Sequence, residues 1–131
     1  MIVVDTSALV AMLRREPEAD RFLRLVAGAD VCLVSAVTYT ETSLVLAGRA
    51  GNRDSWLGLD AMIAATVMQV IPHDAELAAT ARMAFLRFGK GRHPAALNFG
   101  DCAAYALAKA RNLPLLFKGN DFARTDLIAA A

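Results

Sequence analysis

An α/β architecture is predicted for this chain: three layers, α/β/α, with helices on both faces of a central parallel sheet of four to five short strands. Three features predict it. Apolar runs at Ile2–Val4, Val31–Val34, Val70–Ile71 and Leu115–Phe117 are short and end at charge, cap residues, proline or a turn, as buried strands do. Longer segments between them carry helical spacing and helix-capping residues. Strands that alternate with helices in this way imply a parallel sheet covered on both sides.

The elements follow in order. Ile2-Val3-Val4 is a β-branched run stopped by Asp5. Asp5, Thr6 and Ser7 are all candidate caps for a short helix over Ala8–Leu13. Pro17 and its acidic neighbours open a second helix, in which Phe22, Leu25 and Val26 share a face. After the strand Val31–Val34, Ser35 caps a helix that runs to Gly48 or Gly51 and carries Val37, Glu41, Leu44 and Val45. Gly51-Asn52 breaks the chain, and a further helix is expected over Ser55–Met68. Val70-Ile71 forms a short strand ended by Pro72. Asp74 caps a helix from Ala75 to Phe88, and Gly89–Pro94 is a basic loop. A helix from Gly100 to Arg111 leads into the strand Leu115–Phe117, the turn Gly119-Asn120 and a short last helix.

Bulk properties narrow the possibilities. A chain of 131 residues with no linker, repeat or low-complexity tract is expected to form one domain over residues 1–131. Of the residues 56% are hydrophobic, but 27 are alanine, which favours closely packed helices. The mean hydropathy of +0.40 is consistent with apolar surface hidden in a subunit or partner interface. Charge breaks every apolar run well before bilayer length, so no membrane span is expected. The N-terminus lacks a basic segment and a cleavage site. Cys32 and Cys102 form no CxxC and no metal spacing, which points to reduced thiols in a cytoplasm. With a net charge of +1, any nucleic-acid footprint has to be local.

In parallel α/β sheets, ligand sites lie beyond the carboxyl ends of the strands. Asp5 follows the first strand directly. Glu41 lies about two turns into the helix after the second. Asp121 lies just past the last strand, and Asp101 opens the helix leading to it. Each acid alone has a simpler explanation. Asp5 and Asp121 are possible caps, Glu41 could close a capping box with Thr38, and Asp101 could complement a helix N-terminus after Asn98. As a set they are harder to explain, because two carboxylates about 4 Å apart repel by about 4 kcal/mol at an effective dielectric of 20. A cluster of four needs a cation or shared protons, and all-oxygen ligation suits Mg²⁺ or Mn²⁺. Neither His73 nor His93 has a partner spaced for zinc, and Cys102 reads as a core residue. No phosphate-binding glycine loop or nucleophile elbow is present. Carboxylate-held Mg²⁺ suits phosphodiester hydrolysis. The loop Arg87-Phe88-Gly89-Lys90-Gly91-Arg92-His93 adds three cations and an aromatic that could hold a nucleic-acid backbone and stack a base. It reads equally well as a solvated basic helix end.

These residues resemble a known family. Val3-Val4-Asp5-Thr6-Ser7-Ala8-Leu9 resembles the first strand and active-site start of PIN domains, especially the VapC toxins of bacterial toxin–antitoxin pairs, and Glu41 stands where that family keeps its helix glutamate. Phe88-Gly89-Lys90-Gly91-Arg92-His93-Pro94 with Leu97-Asn98-Phe99-Gly100-Asp101-Cys102 is similar to the signature of one VapC subgroup. Leu115-Leu116-Phe117-Lys118-Gly119-Asn120-Asp121-Phe122 is similar to its last strand and acidic turn. The resemblance implies a PIN fold, Mg²⁺ or Mn²⁺ at Asp5, Glu41, Asp101 and Asp121, endonucleolytic cleavage of RNA, a cognate antitoxin that blocks the site, and a homodimer. Asn120 and Asp121 are adjacent candidates for the last ligand, and the Gly-x-Asp-Phe pattern selects Asp121. Lys90 and Arg92 are the expected RNA contacts.

Three rival classes fit less well. A receiver-type signalling domain needs an acidic pair after the first strand and an acceptor Asp after a central one, and Val70-Ile71 ends in Pro72. A haloacid-dehalogenase-like phosphatase needs a second Asp where Ser7 stands. A catalytically inactive PIN-like module that binds RNA or protein would be expected to have lost one or more of the four acids.

Overall fold

The computed structural model of the chain describes all residues 1–131. Four strands, β1 (Ile2–Val4), β2 (Cys32–Ser35), β3 (Met68–Ile71) and β4 (Leu115–Leu116), form one sheet in the order β3-β2-β1-β4. Every pairing is parallel. Six α-helices connect and cover them: α1 (Thr6–Leu13), α2 (Ala19–Gly28), α3 (Ala36–Ala47), α4 (Leu57–Ala65), α5 (Ala75–Phe88) and α6 (Phe99–Arg111). No helix is long and apolar enough to cross a membrane.

Strand alternation divides the core into two. Val3, Leu33 and Leu115 face one side, where they pack with Leu107, Phe88 and Tyr105 of α5 and α6. Val4, Val34 and Leu116 face the other, against Leu9, Phe22 and Leu59 of α1, α2 and α4. Successive strand residues point to opposite faces, so two or three apolar residues in a row serve both layers. The alanines of α6 explain how it sits so deep. Ala103, Ala104, Ala106 and Ala108 are all buried, and small side chains let a helix lie close to the sheet.

Local signals account for most element ends. Ser35 Oγ accepts from the Val37 N–H (3.2 Å) at the start of α3. Asp74 Oδ1 accepts from the Leu77 N–H (2.9 Å) at the start of α5. Gly48 closes α3 at φ +57°, a conformation that costs glycine nothing.

The expected helix over Ser55–Met68 is replaced by three pieces. Arg53–Trp56 is a 3₁₀ turn capped by Asn52, and α4 follows. The chain then turns extended at Thr66, whose hydroxyl and N–H both bond to the Met62 carbonyl (2.7 and 3.1 Å). Met68 belongs to β3, because its backbone register with Cys32 outweighs methionine's helical propensity, which tertiary pairing readily overrides. At the other end of the sheet β4 stops at Leu116, and the last short helix is a 3₁₀ turn over Phe122–Arg124. The C-terminal tail then returns to the sheet edge. Leu115 N–H bonds to the Ile128 carbonyl (2.9 Å), and Ala130 N–H bonds to the Leu115 carbonyl (2.9 Å). This bridge stands where a fifth strand would be.

Candidate active site

All four acids named from the sequence stand around the carboxyl ends of the strands. Asp5 ends β1 and caps α1. Its N–H bonds to the Leu116 carbonyl of β4 (3.0 Å), and its Oδ2 accepts from the Ser7 N–H (3.0 Å) and the Ser7 hydroxyl (2.7 Å). The Ser7 hydroxyl in turn accepts from the Lys118 N–H (2.9 Å), so the turn after β4 braces the carboxylate that follows β1. Asp5 is 2% exposed, yet its Oδ1 has no hydrogen-bond partner. Unpaired buried carboxylate oxygens are costly. Burial pushes this carboxyl up. Ser7 opposes the shift, and the Glu41 charge adds to it.

Glu41 lies on the inner side of α3, half-buried, and accepts a 2.6 Å hydrogen bond from the Thr6 hydroxyl. The capping box with Thr38 does not form. Ser35 caps α3 instead, and the Thr38 hydroxyl is buried without a partner.

Asp101 has both roles weighed for it. It forms a reciprocal capping box with Asn98: Asp101 Oδ2 accepts from the Asn98 N–H (3.0 Å), and Asn98 Oδ1 accepts from the Asp101 N–H (2.9 Å). It also belongs to the acidic group. Burial pushes its carboxyl up to about 7, the Asn98 N–H opposes this, and the charges of Asp5, Glu41 and Asp121 raise it further. Asp121 is exposed and caps nothing with its side chain, so the capping explanation fails there.

As folded, no three acidic, histidine or cysteine side chains stand together as a finished ligand shell. The donor set still fits a hard cation. It is all oxygen, one of its oxygens is buried and unsatisfied, and neighbouring carboxylate charges raise the proton affinity of Asp5 and Asp101.

The basic loop differs in part from the sequence expectation. Phe88 is buried at 5% exposure and packs edge-on against His93 (5.1 Å between ring centroids) and at a tilt against Tyr105. It is a core residue and cannot stack a base. Arg87 is held by Asp126 (3.3 Å), which also binds Lys109 (3.0 Å) and accepts from the Tyr105 hydroxyl (2.6 Å). Lys90 and Arg92 remain exposed and make no ion pair. Arg92 Nε donates to the Leu86 carbonyl (3.2 Å). His93 Nδ1 accepts from the Ala95 N–H (3.0 Å) and serves the loop. Cys32 and Cys102 are buried free thiols, both pushed up by burial.

Beside Glu41 runs a groove of about 440 Å³ lined by Ala36, Val37, Thr40, Glu41, Leu44 and Phe99. Leu44 and Phe99 are 65% and 77% exposed. Sequence reasoning had no signal for Phe99 as a surface residue.

Comparison with known proteins agrees with this fold. A profile described as the PIN domain matches residues 2–128. The chain belongs to the PIN-domain family. Among curated relatives, "VapC ribonuclease Mb0640" of Mycobacterium bovis is 45% identical over 130 residues, covering 99% of this chain and 98% of that protein. "Ribonuclease VapC" of Mycolicibacterium smegmatis is 44% identical over 128 residues, covering 98% of each. Of solved structures, Mycobacterium tuberculosis VapC20, described as a sarcin-ricin loop cleaving toxin, superposes with a TM-score of 0.77 at 23% identity, over 98% of this chain and 97% of that one. VapBC2 of Rickettsia felis, bound to a DNA fragment from its promoter, gives 0.75 at 15% identity, over 98% and 96%. The two structures share the fold with this PIN domain.

Proposed function

We propose that this PIN domain, comprising the whole chain 1–131, is a divalent-metal-dependent endoribonuclease and the toxin of a toxin–antitoxin pair, acting in the cytoplasm. One observation carries the chemistry. The buried carboxylate of Asp5, with one oxygen unsatisfied, faces the charges of Glu41 and Asp101 at the carboxyl edge of a parallel sheet. The relatives named VapC ribonucleases, similar over the full length, support the substrate class.

Asp5, Glu41, Asp101 and Asp121 would hold Mg²⁺ or Mn²⁺, which when bound supplies an activated water and stabilises charge on a cleaved phosphodiester. The chain's own residues do the rest. Ser7 and Lys118 hold Asp5 at the edge of β1, and the Asn98 box holds Asp101 at the start of α6. The Thr6 and Ser7 hydroxyls donate to Glu41 and Asp5 and serve as positioning groups in this reading, which needs no covalent intermediate. Single-stranded RNA incubated with the protein should be cut with Mg²⁺ or Mn²⁺ present and stay intact with EDTA. Cutting that EDTA leaves unchanged would refute the metal-dependent reading.

Lys90 and Arg92 are the RNA-binding cations of this reading, because both are exposed and free of acidic partners while Arg87 is neutralised by Asp126. Replacing both with alanine should weaken RNA binding and lower the slope of log affinity against log salt by about 1.4, at about 0.7 per single-strand phosphate contact. An unchanged slope would make the loop a solvated helix end.

The partners proposed are a cognate antitoxin and a second copy of the chain. The exposed apolar groove beside Glu41 and the high mean hydropathy support buried partner surface. Co-purification with the product of a neighbouring small gene tests the first, and a dimer mass in light scattering tests the second.

A further inference from the structure

We infer that Thr6 and Gly100 are positioning residues for Glu41: one donates a hydroxyl to its carboxylate, and the other leaves a slot with no side chain for that carboxylate to occupy. The inference rests on the proposed role of Glu41 in holding the metal.

Glu41 is the sixth residue of α3, and nothing on its own helix restrains its side chain. A long flexible carboxylate loses rotamer freedom when it ligates an ion, so any group that holds it beforehand strengthens binding. Thr6 is placed to do this. It opens α1 immediately after Asp5, and its hydroxyl donates to Glu41 Oε1 at 2.6 Å, a short, charge-assisted bond. A threonine hydroxyl has one proton to give. Thr42, fully buried on α3, donates its own hydroxyl to Thr6 Oγ1 at 3.3 Å. With its oxygen occupied by Thr42, Thr6 directs its proton to Glu41. The relay ties the helix that begins at Asp5 to the helix that carries Glu41.

Gly100 completes the restraint from the opposite side. It is buried in the first turn of α6, directly before Asp101. A Cβ at this position would fall on both carboxylate oxygens and on Cδ of Glu41, far inside contact distance. Glu41 therefore lies against the α6 backbone next to Asp101. The atoms a Cβ would strike are the end of a flexible side chain, not backbone. An alanine here should leave the fold intact and push Glu41 out of its slot. Both restraints act on one carboxylate from different elements, and neither residue contributes a metal-binding charge of its own.

Three variants test this: Thr6→Val, Thr6→Ser and Gly100→Ala, each checked for folding by circular dichroism. Mn²⁺ is titrated into each by calorimetry, and each is also crystallised without metal. Thr6→Val and Gly100→Ala should bind Mn²⁺ on the order of tenfold more weakly, as removal of outer partners of metal ligands does. Thr6→Ser should bind close to the parent. In crystals, Glu41 should keep its rotamer in Thr6→Ser and leave it in the other two. Glu41 unmoved in both Thr6→Val and Gly100→Ala, or Mn²⁺ affinity equal to the parent in both, would overturn the inference. A parent that binds no Mn²⁺, with Glu41 displaced in the variants as expected, would refute the metal-dependent function and leave the positioning of Glu41 standing.

Discussion

A Glu41→Gln, Asp101→Asn double variant is expected to cut single-stranded RNA at least about a hundredfold more slowly than the parent. A bound cation supplies several kcal/mol of transition-state stabilisation, and about 2.7 kcal/mol already corresponds to a hundredfold. The amides are near-isosteric with the acids they replace. The glutamine of the Glu41→Gln change retains an oxygen to accept from Thr6, and the asparagine of Asp101→Asn retains one to accept from the Asn98 N–H. The change is therefore in charge and metal affinity, with the local frame preserved. Undiminished cleavage by a correctly folded double variant would remove the acids from the mechanism.

Asp101→Asn alone should raise the melting temperature of the protein in EDTA at pH 8, and it should shrink the stabilisation that Mg²⁺ provides. The Asp101 carboxyl has an ordinary value of 3.8 when unfolded and is pushed up to about 7 when folded, first by burial and then by Asp5, Glu41 and Asp121. Between these values the folded chain holds a proton that the unfolded chain has released. The Asp101 contribution to stability without metal must therefore fall as pH rises from about 4 to about 7 and level off above it. Asparagine removes that fall, so the variant should gain on the parent as pH rises.

A competing effect has the opposite sign. Asp101 also caps α6 with Asn98, and loss of a negative charge near a helix N-terminus costs about 0.3–1 kcal/mol. Relief of burial and repulsion should win at pH 8, where the carboxyl is charged, and the difference should close near pH 3, where the folded carboxyl is fully protonated and the unfolded one largely so. The expected gain at pH 8 is several degrees, since each kcal/mol moves the melting temperature of a domain this size by roughly 3–6 °C. In the parent, Mg²⁺ at a hundredfold excess over its dissociation constant should restore about 2.7 kcal/mol. Thermal melts across pH, with and without Mg²⁺, separate the two roles. A variant that melts lower at pH 8 and keeps the full Mg²⁺ response would make the cap the whole role of Asp101.

Much of the fold was legible in the sequence because its signals are local. The runs at Ile2–Val4 and Leu115–Leu116 are too short to be helices and too apolar to be exposed, and their alternation supplies both cores. Ser35 and Asp74 cap helices through backbone N–H groups two and three residues away, a reach that a reader of sequence can count. The acids were legible in part for the same reason, since Asp5 follows β1 directly and Asp121 lies in the turn after β4, and the rule for parallel sheets says what such positions are for.

What only the tertiary structure decided is which of several local options each residue takes. Met68 had helical company on one side and a strand on the other, and pairing with Cys32 settled it. Phe88 and Arg87 belonged to a basic loop with an aromatic. The packing of α5 on α6 buried the first, and Asp126, brought back by the C-terminal tail, neutralised the second. Asp101 could cap a helix or join a charged cluster, and it does both because the start of α6 lies at the carboxyl edge of the sheet. Thr6 and Gly100 looked like a spare cap residue and a helix-opening glycine. Their importance comes from Glu41, which is remote from both in the chain and meets them only when α1, α3 and α6 are brought together. Hydrogen bonds and steric slots act over a few ångströms. Residues far apart in sequence therefore acquire their roles only when the sheet and its layers have set the distance between them.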